Sequence, residues 1–209
     1  MKKLLLVANV SKEHIRKFHI PFILKMKEVG WKVDVACRLD EPIPECNQSF
    51  NLPCDRNPFC GGILESIRIL RKIIKENRYD IVHCNTVTGS IIARVAARPF
   101  RKEGVKVFYT NHGLHFFKGA SLSRWLCGYP VEKYLAPWTD LLIMINNADY
   151  SMARKHLRAC GAIERINGIG VNLARFRTCS MTEEQRVQYR KKIGLAADDF
   201  VLAYVAELN

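Results

Sequence analysis

The chain has 209 residues, 48% of them hydrophobic, and its 33 Lys and Arg against 20 Asp and Glu give a formal net charge of +13. This composition predicts one substantial core, with room for a fragment of a second, and excludes a disordered chain. The positive charge favours a phosphorylated ligand, a polyanion or an anionic membrane surface. Nucleic acid is not expected, because no helix-turn-helix, RNP-like or zinc-finger pattern accompanies the charge.

The apolar segments and the cysteines set further limits. The longest apolar runs, such as LLLVA and FVLAYVA, are far shorter than the roughly 18 to 20 residues that cross a bilayer. The start MKKLLLVANV turns charged at once and has no small-residue cleavage site, so we interpret it as a first core strand of a protein in the cytoplasm. The eight cysteines include no C-x-x-C pair, which predicts reduced thiols and no structural zinc site.

Five short apolar runs predict strands. In chain order they are KKLLLVAN (2–9), WKVDVAC (31–37), DIVHC (80–84), VKVFYTN (105–111) and DLLIMIN (140–146). Several are almost continuously apolar, as expected when both faces of a parallel sheet are covered.

Amphipathic runs between these strands predict helices over IPFILKMKEVG, ILESIRILRKIIKENR, SIIARVAARPF and NADYSMARKHLRACG. Gly30 is expected to end the first helix, Ser90 to cap the third and Asn147 to cap the fourth. Basic residues on these helices, Arg94 among them, are expected on solvated faces or in a membrane-facing patch. Repeated strand–helix–strand units predict an α/β fold with a Rossmann-like, doubly wound parallel sheet.

The end of the chain predicts a change of domain. TEEQRVQYRKKIGL has a Thr182–Gln185 capping box and Gly194 as a stop, and an apolar strand is then predicted to open at Phe200. The expected division is an N-terminal Rossmann-like domain over 1–175, a linker and helix over 176–198, and the first strand of an absent second domain over 199–209.

Ligands of such sheets bind at the carboxyl ends of the strands, where the sequence places NVSKEH, HCNTVTGS, TNHGLHFFKG and INNADYS. The first of these segments lacks G-x-G-x-x-G, so a dinucleotide clamp is not expected there. NGIGVN (167–172) does contain G-x-G, but a weak strand precedes it and no helix follows, which is more typical of a turn than of a phosphate cradle.

Five stretches, in this order, resemble the N-terminal half of bacterial family 4 retaining glycosyltransferases of the capsular and exopolysaccharide type. They are YDIVHCNT, VFYTNHGLHFFKGA, YPVEKYLAPWTDLLIMIN, INGIGVNLARF and FVLAYVAELN. The resemblance implies the N-terminal half of a GT-B fold, in which two Rossmann-like domains face each other across the active site. This half would receive the acceptor, while a C-terminal half that the chain lacks would bind the nucleotide sugar.

The resemblance and the strand-end loops together suggest the site residues. His112 is the candidate catalytic residue, as a hydrogen-bond partner of the donor sugar or the reacting centre; the alternative is a histidine that satisfies its own loop. Candidate acceptor-binding residues are Asn85, Thr86, Gly113, His115, Phe116 and Lys118. Candidates for the donor side of the cleft are Gly168, Gly170, Asn172, Glu207 and Asn209.

Some of these residues have an ordinary structural alternative. Phe116 is equally explained by core packing, and Lys118 by an uncommitted surface position. His112 and His115 form H-x-x-H without a third ligand nearby in sequence, so no metal is expected. Basic side chains and helix N-termini can stabilise a diphosphate, and the nucleotide sugar is then a co-substrate with no further cofactor.

The function implied is the acceptor-binding half of a glycosyltransferase that moves a sugar, expected to be UDP-linked, to a lipid-linked saccharide in surface polysaccharide synthesis. Such a half would be inactive alone unless a separate chain supplied the C-terminal domain. The alternative is a non-catalytic module that binds a glycan or a lipid phosphate. SLSRWLCGYPVEKYLAPW (121–138) mixes aromatic and cationic residues, which suits contact with an anionic membrane at the inner face of the cell, and equally a helix packed over its own sheet.

Overall fold

A computed structural model describes residues 1–54, 61–117, 119–157, 161–170, 173 and 181–204. The chain forms two compact units, Met1–Ile169 and Gly170–Asn209. The first unit contains a parallel sheet with helices on both faces. The second contains one helix among its described residues.

The sheet of the first unit has seven parallel strands in the order β3-β2-β1-β4-β5-β6-β7. Their bounds are β1 Lys3–Val10, β2 Lys32–Arg38, β3 Gln48–Asn51, β4 Ile81–Cys84, β5 Lys106–Asn111, β6 Leu141–Met144 and β7 Ala162–Arg165. The predicted doubly wound α/β sheet is therefore confirmed, with the five predicted strands at its centre. The edge strands β3 and β7 are not continuously apolar, because most of their side chains are exposed.

The helices follow the strands as crossovers. Helix α1 begins in wide π-type turns over Ser11–His19 and continues as a regular α-helix over Ile20–Glu28. The others are α2 Ile63–Asn77, α3 Val87–Ala97, α4 Leu122–Leu135, α5 Asn147–His156 and, in the second unit, α6 Glu183–Lys192; short 3₁₀ turns cover Arg98–Glu103 and Ala136–Trp138.

Three predicted helix starts were wrong. Helix α1 begins at Ser11, nine residues before the predicted start, so the segment after β1 is helical. Helix α3 is capped by Thr86, whose hydroxyl accepts a hydrogen bond from the Gly89 N–H, and Ser90 lies inside the helix. Helix α5 is capped by Asn146 through the N–H of Asp149. In both cases a hydrogen-bonding residue closer to the strand satisfies the free N–H groups of the first turn.

Successive side chains of β1 point to opposite faces of the sheet, so the strand contributes to a separate core cluster on each face. Leu5 and Val7 pack into a large cluster that includes residues of α2 and α3. Leu4 and Leu6 pack on the opposite face, in a cluster to which α1 contributes. Both faces of β1 are buried, which explains why its sequence is continuously apolar.

Helix α6 of the second unit has the predicted capping box between Thr182 and Gln185, and it ends before Gly194 as expected. The strand predicted at Phe200 is not formed over residues 199–204, where Phe200 is exposed; a strand needs a partner for its backbone groups, and the described part of this unit has none. The predicted division into 1–175, 176–198 and 199–209 stays a prediction.

In the described ranges, no helix combines the length and hydrophobicity that a membrane span requires. Five of the cysteines fall in those ranges, and each is a free thiol: Cys37, Cys46, Cys54, Cys84 and Cys127.

Candidate functional site

A cleft of about 350 Å³ lies where the strand order of the sheet reverses, at the carboxyl ends of β1 and β4. It is lined by Asn9, Val10, Glu13, His14, Thr86, Val87 and His115. A larger cavity of about 700 Å³ lies at the opposite, amino end of β4 and β5. Ligands of open α/β sheets bind at the carboxyl side of the reversal point, so the smaller cleft is the candidate site.

The floor of the cleft joins β1 to the first turn of α3. The side-chain oxygen of Asn9 accepts hydrogen bonds from the hydroxyl of Thr86 at 2.6 Å and from the backbone nitrogen of Gly89 at 2.9 Å. Gly89 approaches β1 so closely that an added Cβ would lie 3.2 Å from the Cα of Ala8. The start of α3 is thereby fixed against the end of β1.

Asn85, the predicted neighbour of Thr86, is almost completely buried. Its amide nitrogen donates a hydrogen bond to the carbonyl of His83 at 3.4 Å, while its Oδ1 has no partner in the described structure. Thr86 is already engaged as the cap of α3 and as a donor to Asn9. Thr86 thus has a structural role and also lines the cleft, whereas Asn85 does not line it and keeps a buried oxygen without a partner among the described residues.

The loop after β5 carries His112. The side-chain oxygen of Asn111 accepts a hydrogen bond from the backbone nitrogen of Gly113 at 2.8 Å. This bond links the residues before and after His112 and closes the loop into a turn. Gly113 has a φ of 151°, in the region that favours glycine. This tight turn holds the His112 ring against His14 of α1, with the ring centroids 5.2 Å apart.

Three histidines meet beside the cleft. Nε2 of His14 and Nε2 of His19 lie 3.1 Å apart, and the His112 and His19 ring centroids are 6.1 Å apart. One ring nitrogen from each histidine lies within 4.8 Å of the other two. Nε2 of His112 is buried and has no hydrogen-bond partner among the residues that the structure describes.

Burial lowers the pKa of three imidazoles in this region, those of His19, His83 and His112. Desolvation, assisted by the neighbouring His83 and His112, lowers the pKa of His19 to about 3. Burial and then His112 lower the pKa of His83 to about 4, and burial alone lowers the pKa of His112. Near neutral pH these three imidazoles offer hydrogen bonds and lone pairs, and they contribute no positive charge.

The other predicted residues of the loop differ in exposure. His115 is exposed at the cleft. Phe116 is fully buried, and its ring packs against Trp125 and Tyr129 with centroids 5.4 and 5.3 Å away. The Phe116 ring is therefore part of the core that supports the loop, which is the packing alternative named above.

Of the predicted donor-side residues, the structure describes Gly168 and Gly170. Gly168 follows β7 at the edge of the sheet, three strands from β4, and Gly170 begins the second compact unit. Lys118, Asn172, Glu207 and Asn209 lie outside the described residues.

A buried polar network supports the loop from below. Arg94 of α3 is 1% exposed and forms an ion pair with Glu132 of α4 at 2.9 Å. The Tyr109 hydroxyl donates to Glu132 at 3.4 Å and accepts from the Asn111 amide at 2.9 Å. The expectation of a solvated or membrane-facing Arg94 was wrong, because a carboxylate from a helix distant in sequence satisfies its charge inside the protein.

Sequence reasoning missed Asn9, His14 and His19 as site residues. Residues five apart lie on one side of a π-type helix, whereas on an α-helix they diverge by more than a third of a turn. The H-x4-H spacing of His14 and His19 would have indicated a histidine pair only if a π-type helix had been predicted for this segment. Their meeting with His112 depends on the packing of α1 against the loop that follows β5, which no local pattern encodes.

The family profile and the curated relatives that match the chain all describe glycosyltransferases. The profile described as Glycosyl transferase 4-like matches residues 3–146. The chain is 46% identical over 208 residues to EpsD of Bacillus subtilis (strain 168), a glycosyltransferase by name, covering 100% of this chain and 54% of that protein. It is 30% identical over 210 residues to the UDP-Gal:alpha-D-GlcNAc-diphosphoundecaprenol alpha-1,3-galactosyltransferase of Escherichia coli, covering 97% and 51%. The chain spans about half the length of these curated relatives.

Solved structures share the fold. Alr3699/HepE of Anabaena, crystallised with UDP, matches with a TM-score of 0.60 at 15% identity, over 93% of this chain and 50% of that one. A glycosyltransferase of Rickettsia africae ESF-5 matches with a TM-score of 0.57 at 16% identity, over 94% and 50%. These likenesses agree with the Rossmann-like half of a GT-B fold.

Proposed function

The chain belongs to the glycosyl transferase 4-like family, and on that premise we propose that it supplies the acceptor half of an enzyme that transfers a sugar from a nucleotide sugar to a lipid-linked saccharide. The observation that carries the proposal is the cleft at the strand-order reversal, where Thr86 and His115 meet His14 and its neighbour His112. The relative from E. coli supports the substrate classes, since its name specifies UDP-Gal and a saccharide on diphosphoundecaprenol.

The chemistry required of this half is modest. The bond from the anomeric carbon to the diphosphate breaks and the nucleoside diphosphate leaves, a bond to the acceptor oxygen forms, and the proton of the acceptor hydroxyl passes to the departing diphosphate. Positive charge develops on the sugar ring in the transition state, and preorganised hydrogen-bond donors and acceptors stabilise it best when they need not rearrange. A neutral His112 suits a hydrogen bond to a sugar hydroxyl, because it adds no positive charge beside the developing cation.

The N-terminus of α3 can bind the acceptor in the proposed reaction, and no metal is needed for this. The first turn of α3 opens at the cleft beside Thr86 and Val87, and the N-terminus of a helix carries a partial positive charge. Such a helix end can bind a hydroxyl or phosphate oxygen of the acceptor. Basic residues of a second domain would face the diphosphate of the donor.

The proposed acceptor is attached to a lipid, and α4 has a surface suited to membrane contact. Leu122, Leu126 and Tyr134 are 74%, 67% and 66% exposed, and the four-residue spacing of Leu122 and Leu126 places these two leucines on one side of the helix. Exposed Arg124 and Lys133 lie on the same helix. Apolar side chains with cations nearby favour the headgroup layer of an anionic bilayer, so we place the protein in the cytoplasm, at the inner face of the cell membrane.

A fusion tests the proposal. The chain would be joined to the part of B. subtilis EpsD that its match does not cover, and UDP-Gal and other UDP-sugars would be offered with GlcNAc-diphosphoundecaprenol. We expect sugar transfer that depends on the lipid-linked saccharide, and little or none from the chain alone. Binding of the lipid-linked saccharide by a folded fusion that transfers no sugar would support the non-catalytic module instead.

A further inference from the structure

The histidine group beside the cleft has the composition of a metal site. His14 and His19 come from α1, and His112 comes from the loop after β5, so two separate elements contribute. A tetrahedral zinc ion with Zn–N bonds of about 2.0–2.1 Å holds its nitrogen ligands roughly 3.3 Å apart. The two Nε2 atoms of His14 and His19 are already 3.1 Å apart.

The third ligand needs a small movement. The three nitrogens lie within 4.8 Å of one another, so a rotation that brings the His112 nitrogen closer by at most about 1.5 Å would reach the spacing that zinc imposes. The buried Nε2 of His112 has no hydrogen-bond partner in the described part of the chain, so a metal bond there would replace none of the bonds described. The His14–His19 hydrogen bond would be exchanged for two metal bonds, with the shared proton moving to the other ring nitrogen of its histidine.

We propose that His14, His19 and His112 bind one divalent transition-metal ion, with Zn²⁺ as the ion of best fit. Three imidazoles favour zinc, copper, nickel or cobalt, whereas Mg²⁺ and Ca²⁺ require oxygen ligands. Three protein ligands leave one position of a tetrahedral ion for water or a ligand oxygen, and His14 lines the cleft from which either would enter.

The site has a consequence for the proposed transfer. A metal ion would hold the His112 ring in the histidine group and withhold its nitrogen from a sugar hydroxyl. Zinc would then inhibit transfer. This consequence rests on the proposed function, whereas metal binding itself does not.

Metal binding is measured on the chain alone, by titration of Zn²⁺ against a chromophoric chelator. We expect one tight site per chain, an affinity at least ten times lower in His14→Gln and His112→Gln, and less than a twofold change in His156→Gln. His156 is a matched control because it packs against Trp125 and Tyr129, away from the group. Mg²⁺ in excess should not compete.

Two further measurements keep the test decisive. Far-UV circular dichroism without metal identifies any variant that does not fold, and a Zn²⁺-dependent rise in the melting temperature reports binding to the folded chain. Co²⁺ in place of zinc should give a visible spectrum without sulfur-to-cobalt charge transfer. Equal affinity in all folded variants, no stoichiometric binding, or a thiolate spectrum arising from the free cysteines would overturn the proposal.

Discussion

The guanidinium of Arg94 donates a hydrogen bond to the carboxylate of Glu132 at 2.9 Å, and solvent reaches almost none of either side chain. This ion pair joins α3, whose first turn closes the floor of the cleft, to α4, whose outer side is proposed to meet the membrane. Through Tyr109 and Asn111 the same network reaches the turn that carries His112.

Removing one charge of this pair should destabilise the fold strongly. Glu132→Gln leaves the buried guanidinium of Arg94 without its counter-ion, and we expect the free energy of unfolding to fall by about 3–5 kcal/mol. Glu76→Gln is the matched control, because the Lys72–Glu76 pair is exposed and its loss should cost less than about 1 kcal/mol. Urea denaturation of both variants checks this, and similar losses would contradict a structural role for the buried pair.

Alanine substitution should lower the stability of the protein at Gly89 and raise it at Gly128, the two helix glycines near the site. Gly89→Ala places a Cβ 2.6 Å from the Thr86 hydroxyl and 3.2 Å from the Ala8 Cα, so we expect the free energy of unfolding to fall by about 1–3 kcal/mol. Gly128→Ala meets only ordinary contacts, 3.5 Å from His115, and a helix interior gains about 0.5–1 kcal/mol from this change. Thermal unfolding of the pair measures both signs; a neutral Gly89→Ala would mean that α3 is not pressed against β1.

The central strands could be predicted because burial on both faces leaves a continuous apolar run, as in β1. The edge strand β3 could not, since its residues Gln48–Asn51 are mostly exposed and polar. Thr86 and Asn146 were missed as caps because Ser90 and Asn147 offer the same chemistry one or a few residues later. His112 could be identified from its position after a strand. The burial of Arg94 could not be predicted, because its partner Glu132 lies 38 residues away in sequence.

Acid should remove the contribution of Asp140 to stability. Burial raises the pKa of this carboxyl, but hydrogen bonds from the Arg101 guanidinium and the Val107 backbone, with the charges of Arg101 and Lys106, outweigh burial and lower it below 3.8. A lowered folded-state pKa means that the stabilisation is fully present above pH 3.8 and is lost as pH falls through the folded value.

Asp140→Asn tests this dependence. At pH 7 we expect it to unfold at a lower urea concentration than the parent, by an amount equivalent to about 1 kcal/mol, since the carboxylate is partly screened by solvent. The difference should narrow once the pH falls below 3.8. A difference that stays constant from pH 7 to pH 3 would show that the charge of Asp140 does not matter.

Binding to membranes should depend on the exposed side of α4. Leu122→Ser with Leu126→Ser should weaken binding to vesicles containing phosphatidylglycerol by at least tenfold, because burying a leucine side chain contributes about 1.5–3 kcal/mol. Leu24→Ser on α1 is the control, as Leu24 is also exposed, at 50%. Vesicle co-sedimentation gives the affinities, and equal weakening by the control would remove α4 as the contact surface.

The rate of sugar transfer in the EpsD fusion, compared between the parent and His112→Gln, tests the central claim most directly. Loss of a preorganised hydrogen bond in the transition state lowers the turnover number by about 10²–10³-fold, and we expect a loss in that range with unchanged folding. His156→Gln, which lies outside the cleft, should keep the parental rate. Transfer by the parent with no loss in His112→Gln would contradict the proposed role of this loop, and a folded parent fusion that transfers no sugar to any lipid-linked saccharide would contradict the proposed function.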